Sequence, residues 1–268
     1  MTDPVLTQRH AGILEIALNR PDAYNALDLE MMKQLREALA AAAADDSIES
    51  VILTGRGKAF CSGGDLKWIS QQAEDAGTVL YRLAPEFHLS IVEIHRMEKP
   101  VVAAINGIAA GGGFSLALAC DFRVMGQSAL LRQAYTSSGL SMDGGGSFAL
   151  PRLVGLARAM EILAFDEPIP PAKALEWGLV TKVVPDDQVL EQAVAMLESL
   201  SKTSLHSFAW SKKLITDSLN HTLESQLELE RQGIGSCADH PDGQEGIKAF
   251  LEKRKPLFHP STGGMTNR

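Results

Sequence analysis

Cysteine and clustered basic charge are both scarce in this chain. Its 268 residues include only three cysteines, Cys61, Cys120 and Cys237, which lie far apart and form no CxxC pair. This spacing indicates neither a disulfide framework nor a zinc site, so we expect no metal and a reducing, cytoplasmic compartment. The net charge is -8 and no dense block of lysine and arginine occurs. We therefore expect no nucleic-acid partner.

Long hydrophobic runs are also missing. The longest apolar stretch, residues 101–119, is interrupted by glycine and asparagine and is too short and too broken to predict a membrane-spanning helix. Residues 1–10 contain Asp3 and Pro4 and have no apolar core, so they do not predict a secretory signal. The sequence therefore predicts no membrane partner.

The pattern of apolar residues changes along the chain. In the first two-thirds, apolar runs at residues 13–18, 51–54 and 122–125 predict strands that alternate with helical patterns. The last third predicts helices alone, over residues 187–200, 204–219, 223–237 and 243–254. We therefore predict an α/β core over residues 1–200, followed by a helical C-terminal region over residues 201–268.

The most informative stretch is a strand, a glycine turn and an apolar helix in succession. Residues 101–105 predict a buried strand, and the three glycines at 111–113 lead into a predicted helix at 114–119. The first amides of a helix lack partners within it, and glycines leave a ligand room to reach them. We therefore interpret Gly112 as a backbone donor to a developing negative charge, or alternatively as one of three glycines that only allow close packing.

A second turn, at Gly63 and Gly64, has the same design of strand, small residues and helix. Two amides from separate turns can hold one oxygen between them, which is the geometry of an oxyanion hole. Neither GxxxxGK[ST] nor a GxGxxG after the first strand occurs. The sequence thus offers little support for a nucleotide-binding loop.

Several side chains near these turns each have two interpretations. Asp143, in a third glycine turn, is either the N-cap of the following helix or a general base or nucleophile whose basicity burial in an apolar pocket would raise. Asp65 is expected to cap the helix that starts at Leu66. His88 is either a surface or core residue or part of the site, and Tyr135 is either core packing or a hydroxyl donor.

Several segments together resemble the crotonase (enoyl-CoA hydratase/isomerase) superfamily over nearly the whole chain. The segments that carry the resemblance are residues 19–27, 59–66, 99–121, 152–155, 172–180 and 183–185. The resemblance implies an α/β, crotonase-like spiral of ββα repeats with a C-terminal helical trimerisation region. It also implies an acyl-CoA substrate, no cofactor other than the coenzyme A of the substrate thioester, and a homotrimer or dimer of trimers.

The resemblance assigns roles to particular residues. The oxyanion amides would belong to Gly64 and Gly112, and coenzyme A would lie along residues 22–27 and 62–67. The substrate-binding residues that we expect are Ala23, Ser62, Asp65, Leu66, Ser115, Tyr135 and His88. Phe250 and Lys253 are expected to complete the nucleotide pocket, from the same or a neighbouring subunit.

Two positions depart from the hydratase pattern of the superfamily. Ser115 and Tyr135 stand where a typical hydratase has its two glutamates, which argues against efficient hydration. Asp143 resembles the aspartate of superfamily isomerases, above all the epoxyphenylacetyl-CoA isomerase-like members, so we predict a double-bond isomerase with Asp143 as base. The alternatives are a hydratase, a dehalogenase-like enzyme with Asp143 as nucleophile and His88 nearby, and a non-catalytic acyl-CoA-binding scaffold.

Overall fold

The computed structural model describes residues 3–258 of the chain. Two compact units are present in this range. The first contains the residues up to His95 together with Val101–Val194, and the second contains Arg96–Pro100 and the residues from Ala195 onward. Within the described range, the strands all belong to the first unit.

The first unit is built on two sheets. Its strands are β1 (Val5–His10), β2 (Ile13–Leu18), β3 (Ser50–Gly55), β4 (Ala59–Cys61), β5 (Val101–Ile105), β6 (Ile108–Ala110), β7 (Phe122–Gly126), β8 (Leu130–Arg132) and β9 (Lys182–Val184). The larger sheet has the order β1-β2-β3-β5-β7-β9, and the smaller has the order β4-β6-β8. Strand β1 is antiparallel to β2, and the other pairs are parallel.

Helices connect the parallel strands. They are α1 (Leu29–Ala44), α2 (Leu66–Ser70), α3 (Ala76–Arg96), α4 (Gly112–Ala119), α5 (Gly146–Phe165), α6 (Pro171–Glu176), α7 (Val189–Leu200), α8 (Leu205–Asp217), α9 (Leu223–Asp239) and α10 (Pro241–Leu251). Each of the pairs β3-β4, β5-β6 and β7-β8 adds its first strand to the larger sheet and its second to the smaller one. A helix then returns the chain, as parallel neighbours require. This is the predicted α/β spiral of ββα repeats.

The core of the first unit follows from the apolar runs of the sequence. Every residue of β2, β3 and β5 is buried, as expected for parallel strands that are covered on both faces. The strands predicted over residues 13–18, 51–54 and 101–105 are therefore confirmed. Strands β1, β4 and β6 are additional to the prediction, because β1 is an edge strand with mostly exposed residues and the other two have three residues each.

Helix α3 begins before the amphipathic pattern of residues 85–97 indicates, at Ala76, with Pro85 inside it. Its start is explained by Asp75, whose carboxylate accepts a 3.0 Å hydrogen bond from Thr78 N and caps the first turn. Helix α5 contains a kink at Gly155, where φ is 74°.

The second unit consists mainly of α8, α9 and α10. The starts of α8 and α9 follow from their caps, because the hydroxyls of Ser204 and Thr222 accept hydrogen bonds from the first turns. The predicted helices agree with these elements within a few residues. None of the helices within residues 3–258 is long and apolar enough to cross a membrane.

Candidate active site

The first two glycine turns meet in the first unit. Leu27 bridges to the first turn, because its amide donates to Gly63 O at 2.7 Å and its carbonyl accepts from Asp65 N at 3.0 Å. These bonds hold Gly64 between two anchored residues. Among the described residues, the amides of Gly64 and Gly112 donate to no protein acceptor. Both amides are therefore available to a ligand, as the oxyanion-hole interpretation requires.

Glycine is required at several positions where the two turns meet. A β-carbon built on Gly63 would lie 2.9 Å from Ala110 O and 3.0 Å from Gly112 N. One built on Gly113 would lie 2.0 Å from Cys61 O. Close packing therefore explains Gly63 and Gly113. It does not explain Gly64, where a built β-carbon has no neighbour within 4 Å.

The third turn places Asp143 against helix α3. The carboxylate Oδ1 lies 2.5 Å from Nε2 of His88, and the two side chains are 43% and 48% exposed. Helix α5 has Gly145 as its N-cap with no side-chain cap hydrogen bond, so the expected capping role of Asp143 is wrong. The expected burial of this carboxylate in an apolar pocket is also wrong within the single chain, because the side chain is nearly half exposed.

The ring of Phe87 fixes the third turn next to the second. Its Cε1 atom lies 3.5 Å from a β-carbon built on Gly112 and 2.2 Å from one built on Gly144. Gly144 has φ +60°, a conformation that disfavours any side chain. Phe87 and His88 are consecutive on α3, so one helix turn packs against both glycine segments and holds Asp143 beside them.

Two buried hydroxyls bind the main chain of Asp143. Ser115 Oγ donates to the Asp143 carbonyl at 2.7 Å, and Tyr135 OH lies 3.2 Å from the same oxygen and 3.1 Å from Ser115 Oγ. Burial is the main cause that raises the pKa of Tyr135 to about 12. Tyr135 is thus both a core residue and a hydroxyl donor, and its donor role is directed at the protein.

The carboxylate of Asp65 is bound by groups of the protein itself. Its carboxylate accepts a 2.9 Å hydrogen bond from Trp68 N, so the predicted cap is confirmed. The same carboxylate pairs with Arg20 at 2.9 Å, and Arg20 also pairs with Asp28 at 3.0 Å. Because Asp28 caps helix α1, Arg20 ties two helix N-termini to the first glycine turn. Nothing in the spacing of the sequence marks Arg20 as a link between the two aspartates.

The remaining predicted site residues are spread along the first unit and the second. Ala23 lies in a short 3-10 turn, and Ser62 N donates to Tyr24 O at 3.0 Å, which joins the two segments expected to bind coenzyme A. Leu66 is 49% exposed. Phe250 is exposed on α10 of the second unit, and Lys253 follows that helix.

Nucleophilic chemistry by cysteine and metal chemistry receive no support from the described residues. Cys61 is buried, and burial raises its pKa to about 12, which leaves the thiol un-ionised at neutral pH. Among residues 3–258, no group of three or more histidine, cysteine, aspartate or glutamate side chains is placed to hold a metal ion. Asp143 and His88 form a partly exposed acid–imidazole contact that the described part of the chain places beside the glycine turns.

Comparisons with family models and with known proteins all indicate the same family. Residues 8–261 match the family model described as enoyl-CoA hydratase/isomerase. The 1,2-epoxyphenylacetyl-CoA isomerase of Escherichia coli (strain K12) is 33% identical over 96% of this chain and 99% of its own length. A probable enoyl-CoA hydratase of Rhodobacter capsulatus is 39% identical over 92% of this chain and 94% of its own length.

A solved structure agrees in fold. The crystal structure of an enoyl-CoA hydratase from Polaromonas sp. JS666 has a TM-score of 0.89 and 38% identity, and the match covers 94% of this chain and 98% of that one. The resemblance stated from the sequence is thereby confirmed over nearly the whole chain. The chain belongs to the enoyl-CoA hydratase/isomerase family of the crotonase superfamily, and it is an acyl-CoA enzyme of that family.

Proposed function

We propose that this enzyme shifts the double bond of an enoyl-CoA, with Asp143 as its single base. The observation that supports this proposal is the difference between the two acids of the glycine turns. Asp65 is bound by Trp68 N and Arg20, whereas the Asp143 carboxylate is 43% exposed and contacts His88 through Oδ1. One available carboxylate beside two free amides suits a reaction in which the same group removes and returns one proton.

The proposed reaction balances with these groups alone. The Asp143 carboxylate takes a proton from the α-carbon of a 3-enoyl-CoA, and the electron pair moves to the thioester oxygen. The amides of Gly64 and Gly112 bind that oxygen, and each such donor is worth about 3 kcal/mol in comparable sites. The protonated carboxyl then returns the proton to the γ-carbon, which leaves a 2-enoyl-CoA and restores the carboxylate.

His88 contributes orientation in this scheme. In the tautomer with a proton on Nε2, the imidazole donates to Asp143 Oδ1, which leaves the second carboxylate oxygen for the substrate proton. The hydrogen bond limits rotation of the carboxylate, so the free carboxylate oxygen keeps the same orientation toward the substrate during both proton transfers. His88 is thus a positioning residue in the isomerase mechanism.

A second candidate function uses the same pair of residues. In a dehalogenase-like reaction, Asp143 would be a nucleophile toward an aryl-CoA and His88 would lie beside it. The 2.5 Å contact between Nε2 and Oδ1 is the observation that favours this candidate. The hydratase alternative receives less support, because the hydroxyls of Ser115 and Tyr135 stand where hydratases have glutamates and both are directed at a main-chain oxygen.

The expected assembly forms part of the proposal. We propose a homotrimer or dimer of trimers that works in the cytoplasm, with coenzyme A along residues 22–27 and 62–67. Large apolar side chains on the second unit support an association between subunits, since Ile215, Leu219, Leu223 and Ile234 are each about 70% exposed. Light scattering after gel filtration measures the number of subunits directly.

Proton exchange in heavy water tests the isomerase proposal. Because the Asp143 carboxyl is 43% exposed, its proton exchanges with solvent between the two transfers in a fraction of turnovers. We therefore expect NMR to show deuterium entering the α- or γ-carbon of a 3-enoyl-CoA with the wild-type enzyme and not with Asp143→Asn. Asp46→Asn is the matched control, because it makes the same charge change at an exposed residue after α1. Retained exchange in Asp143→Asn would overturn the role of Asp143.

Three further outcomes identify the alternatives. Addition of water across a 2-enoyl-CoA, without isomerisation of the 3-enoyl-CoA, would favour the hydratase. Chloride release from a chlorobenzoyl-CoA, lost in Asp143→Asn, would favour the nucleophilic mechanism. Calorimetric binding of acyl-CoA without any turnover, unaffected by Asp143→Asn, would favour the non-catalytic scaffold.

A further inference from the structure

The carbonyl oxygen of Asp143 accepts hydrogen bonds from two directions. Gly146 N donates to it at 3.2 Å and closes the third turn, and Ser115 Oγ donates to it at 2.7 Å from helix α4. Tyr135 OH donates to the same carbonyl at 3.2 Å and lies 3.1 Å from Ser115 Oγ. Two of the three donors to this oxygen are therefore side-chain hydroxyls from outside the third turn.

The two hydroxyls have no room to act elsewhere. Ser115 is 1% exposed and Tyr135 is 8% exposed. A β-carbon built on Gly146 would lie 2.6 Å from Ser115 Oγ, so the start of helix α5 closes over the serine. In this chain both hydroxyls are therefore directed at protein atoms.

The peptide that these hydroxyls hold is followed by two residues of unusual flexibility. Gly144 has φ +60° and Gly145 has φ +71°, and glycine populates such angles as readily as their mirror images. Without the two hydroxyls, the plane of the peptide between Asp143 and Gly144 would be held only by the 3.2 Å bond from Gly146 N, which belongs to the same glycine segment. The orientation of that plane sets the direction of the Asp143 side chain relative to His88.

We infer that Ser115 and Tyr135 are positioning residues that aim the Asp143 carboxylate by holding its main-chain carbonyl oxygen. They take no part in proton transfer and do not contact the substrate. This inference rests on the proposed function of Asp143 as the base. It also explains how Ser115 and Tyr135, which carry no carboxylate, still serve the reaction. They orient the Asp143 carboxylate instead of transferring protons themselves.

The test uses the double variant Ser115→Ala/Tyr135→Phe, which removes both hydroxyls and keeps the shape of the core. A loss of alignment at a reacting group typically costs ten- to a hundredfold in rate, so we expect kcat to fall by about that factor while KM stays within about twofold. Ser90→Ala is the matched control, because Ser90 is fully buried and its hydroxyl has no hydrogen-bond partner in the part of the chain that the structure describes. We expect the control to keep the wild-type kcat.

A second readout is independent of turnover. The ¹⁵N resonance of His88 Nε2 in the substrate-free enzyme reports its hydrogen bond to Asp143 Oδ1, and His88→Gln assigns the signal. We expect this resonance to shift in the double variant and to stay unchanged in Ser90→Ala. This measurement is valid even if the wild-type enzyme does not isomerise enoyl-CoA. Failure of the proposed function can therefore be told apart from failure of the positioning inference.

Two results would overturn the inference. An unchanged His88 resonance together with an unchanged kcat would show that the hydroxyls only fill the core. A raised KM with an unchanged kcat would show that they bind the substrate instead. Circular dichroism of each variant establishes that the fold is kept before the rates are compared.

Discussion

The Nε2 atom of His88 lies 2.5 Å from Oδ1 of Asp143, although the two residues are 55 positions apart in the chain. Helix α3 carries the histidine and the third glycine turn carries the aspartate. The ring of Phe87 packs against Gly144 and keeps the two segments together. The contact joins the proposed base to a group that can orient it.

Replacing His88 should show whether it orients the Asp143 carboxylate. We expect His88→Leu to lower kcat about tenfold to a hundredfold, because the carboxylate loses its only described side-chain partner and rotates more freely. His88→Gln retains an N–H donor and should lose less. The rate at which 3-enoyl-CoA is converted to 2-enoyl-CoA at saturating substrate measures kcat. Equal losses in both variants would argue against an orienting hydrogen bond.

Two glycines should differ sharply in their tolerance of a methyl group. In Gly113→Ala the new β-carbon would lie 2.0 Å from Cys61 O, so we expect a loss of unfolding free energy of about 2 kcal/mol or more. In Gly64→Ala the β-carbon meets nothing within 4 Å, and we expect a change of less than about 0.5 kcal/mol. Urea unfolding of the two variants checks this contrast. Similar losses would contradict the described packing of the two turns.

Arg20 should matter for stability although it stands outside the proposed chemistry. Its guanidinium pairs with Asp28 and Asp65, whose side chains are 15% and 12% exposed. In Arg20→Met both carboxylates lose a partner while the length of the side chain is kept, so we expect a loss of about 1–3 kcal/mol in the free energy of unfolding. Urea unfolding of Arg20→Met measures this loss. Arg9→Met serves as control, because its pair with Asp45 is largely exposed.

The second unit should lose stability in mild acid through His206. This ring stacks on His240 at a centroid distance of 4.0 Å, and its Nε2 atom is buried without a hydrogen-bond partner among residues 3–258. Burial and then His240 lower the pKa of His206 below its ordinary value of 6.5, while Glu98 and Asp242 oppose the shift. The unfolded chain therefore binds the proton more tightly than the folded one, and stability present above pH 6.5 is lost as the pH falls below it.

The pH dependence of unfolding tests this prediction. We expect the wild-type midpoint in urea to fall between pH 7 and pH 5.5, and the fall to be smaller in His206→Phe. His221→Phe is the control, because His221 lies in an exposed turn after α8. The same slope in all three proteins would contradict a contribution from His206.

The sequence by itself determined the fold class and the places of the glycine turns. Buried parallel strands such as Val101–Ile105 can be predicted from short apolar runs rich in β-branched residues, because both faces of the sheet are covered. Caps such as Asp28 and Asp65 are local signals, because their hydrogen bonds reach only three residues along the chain. The family likewise follows from the motifs in order, and the comparisons confirm it.

Only the tertiary structure decided what the candidate site residues contact. The spacing of the sequence leaves Asp143 equally suited to cap a helix or to act as a base, and the helix proves to begin at a glycine cap instead. The hydroxyls of Ser115 and Tyr135 meet the Asp143 carbonyl across separations of 28 and 8 residues. Such contacts depend on how helices α3 and α4 and the third turn pack together. Packing brings together residues that are far apart in the chain, and their separation in sequence does not reveal that they are close in space.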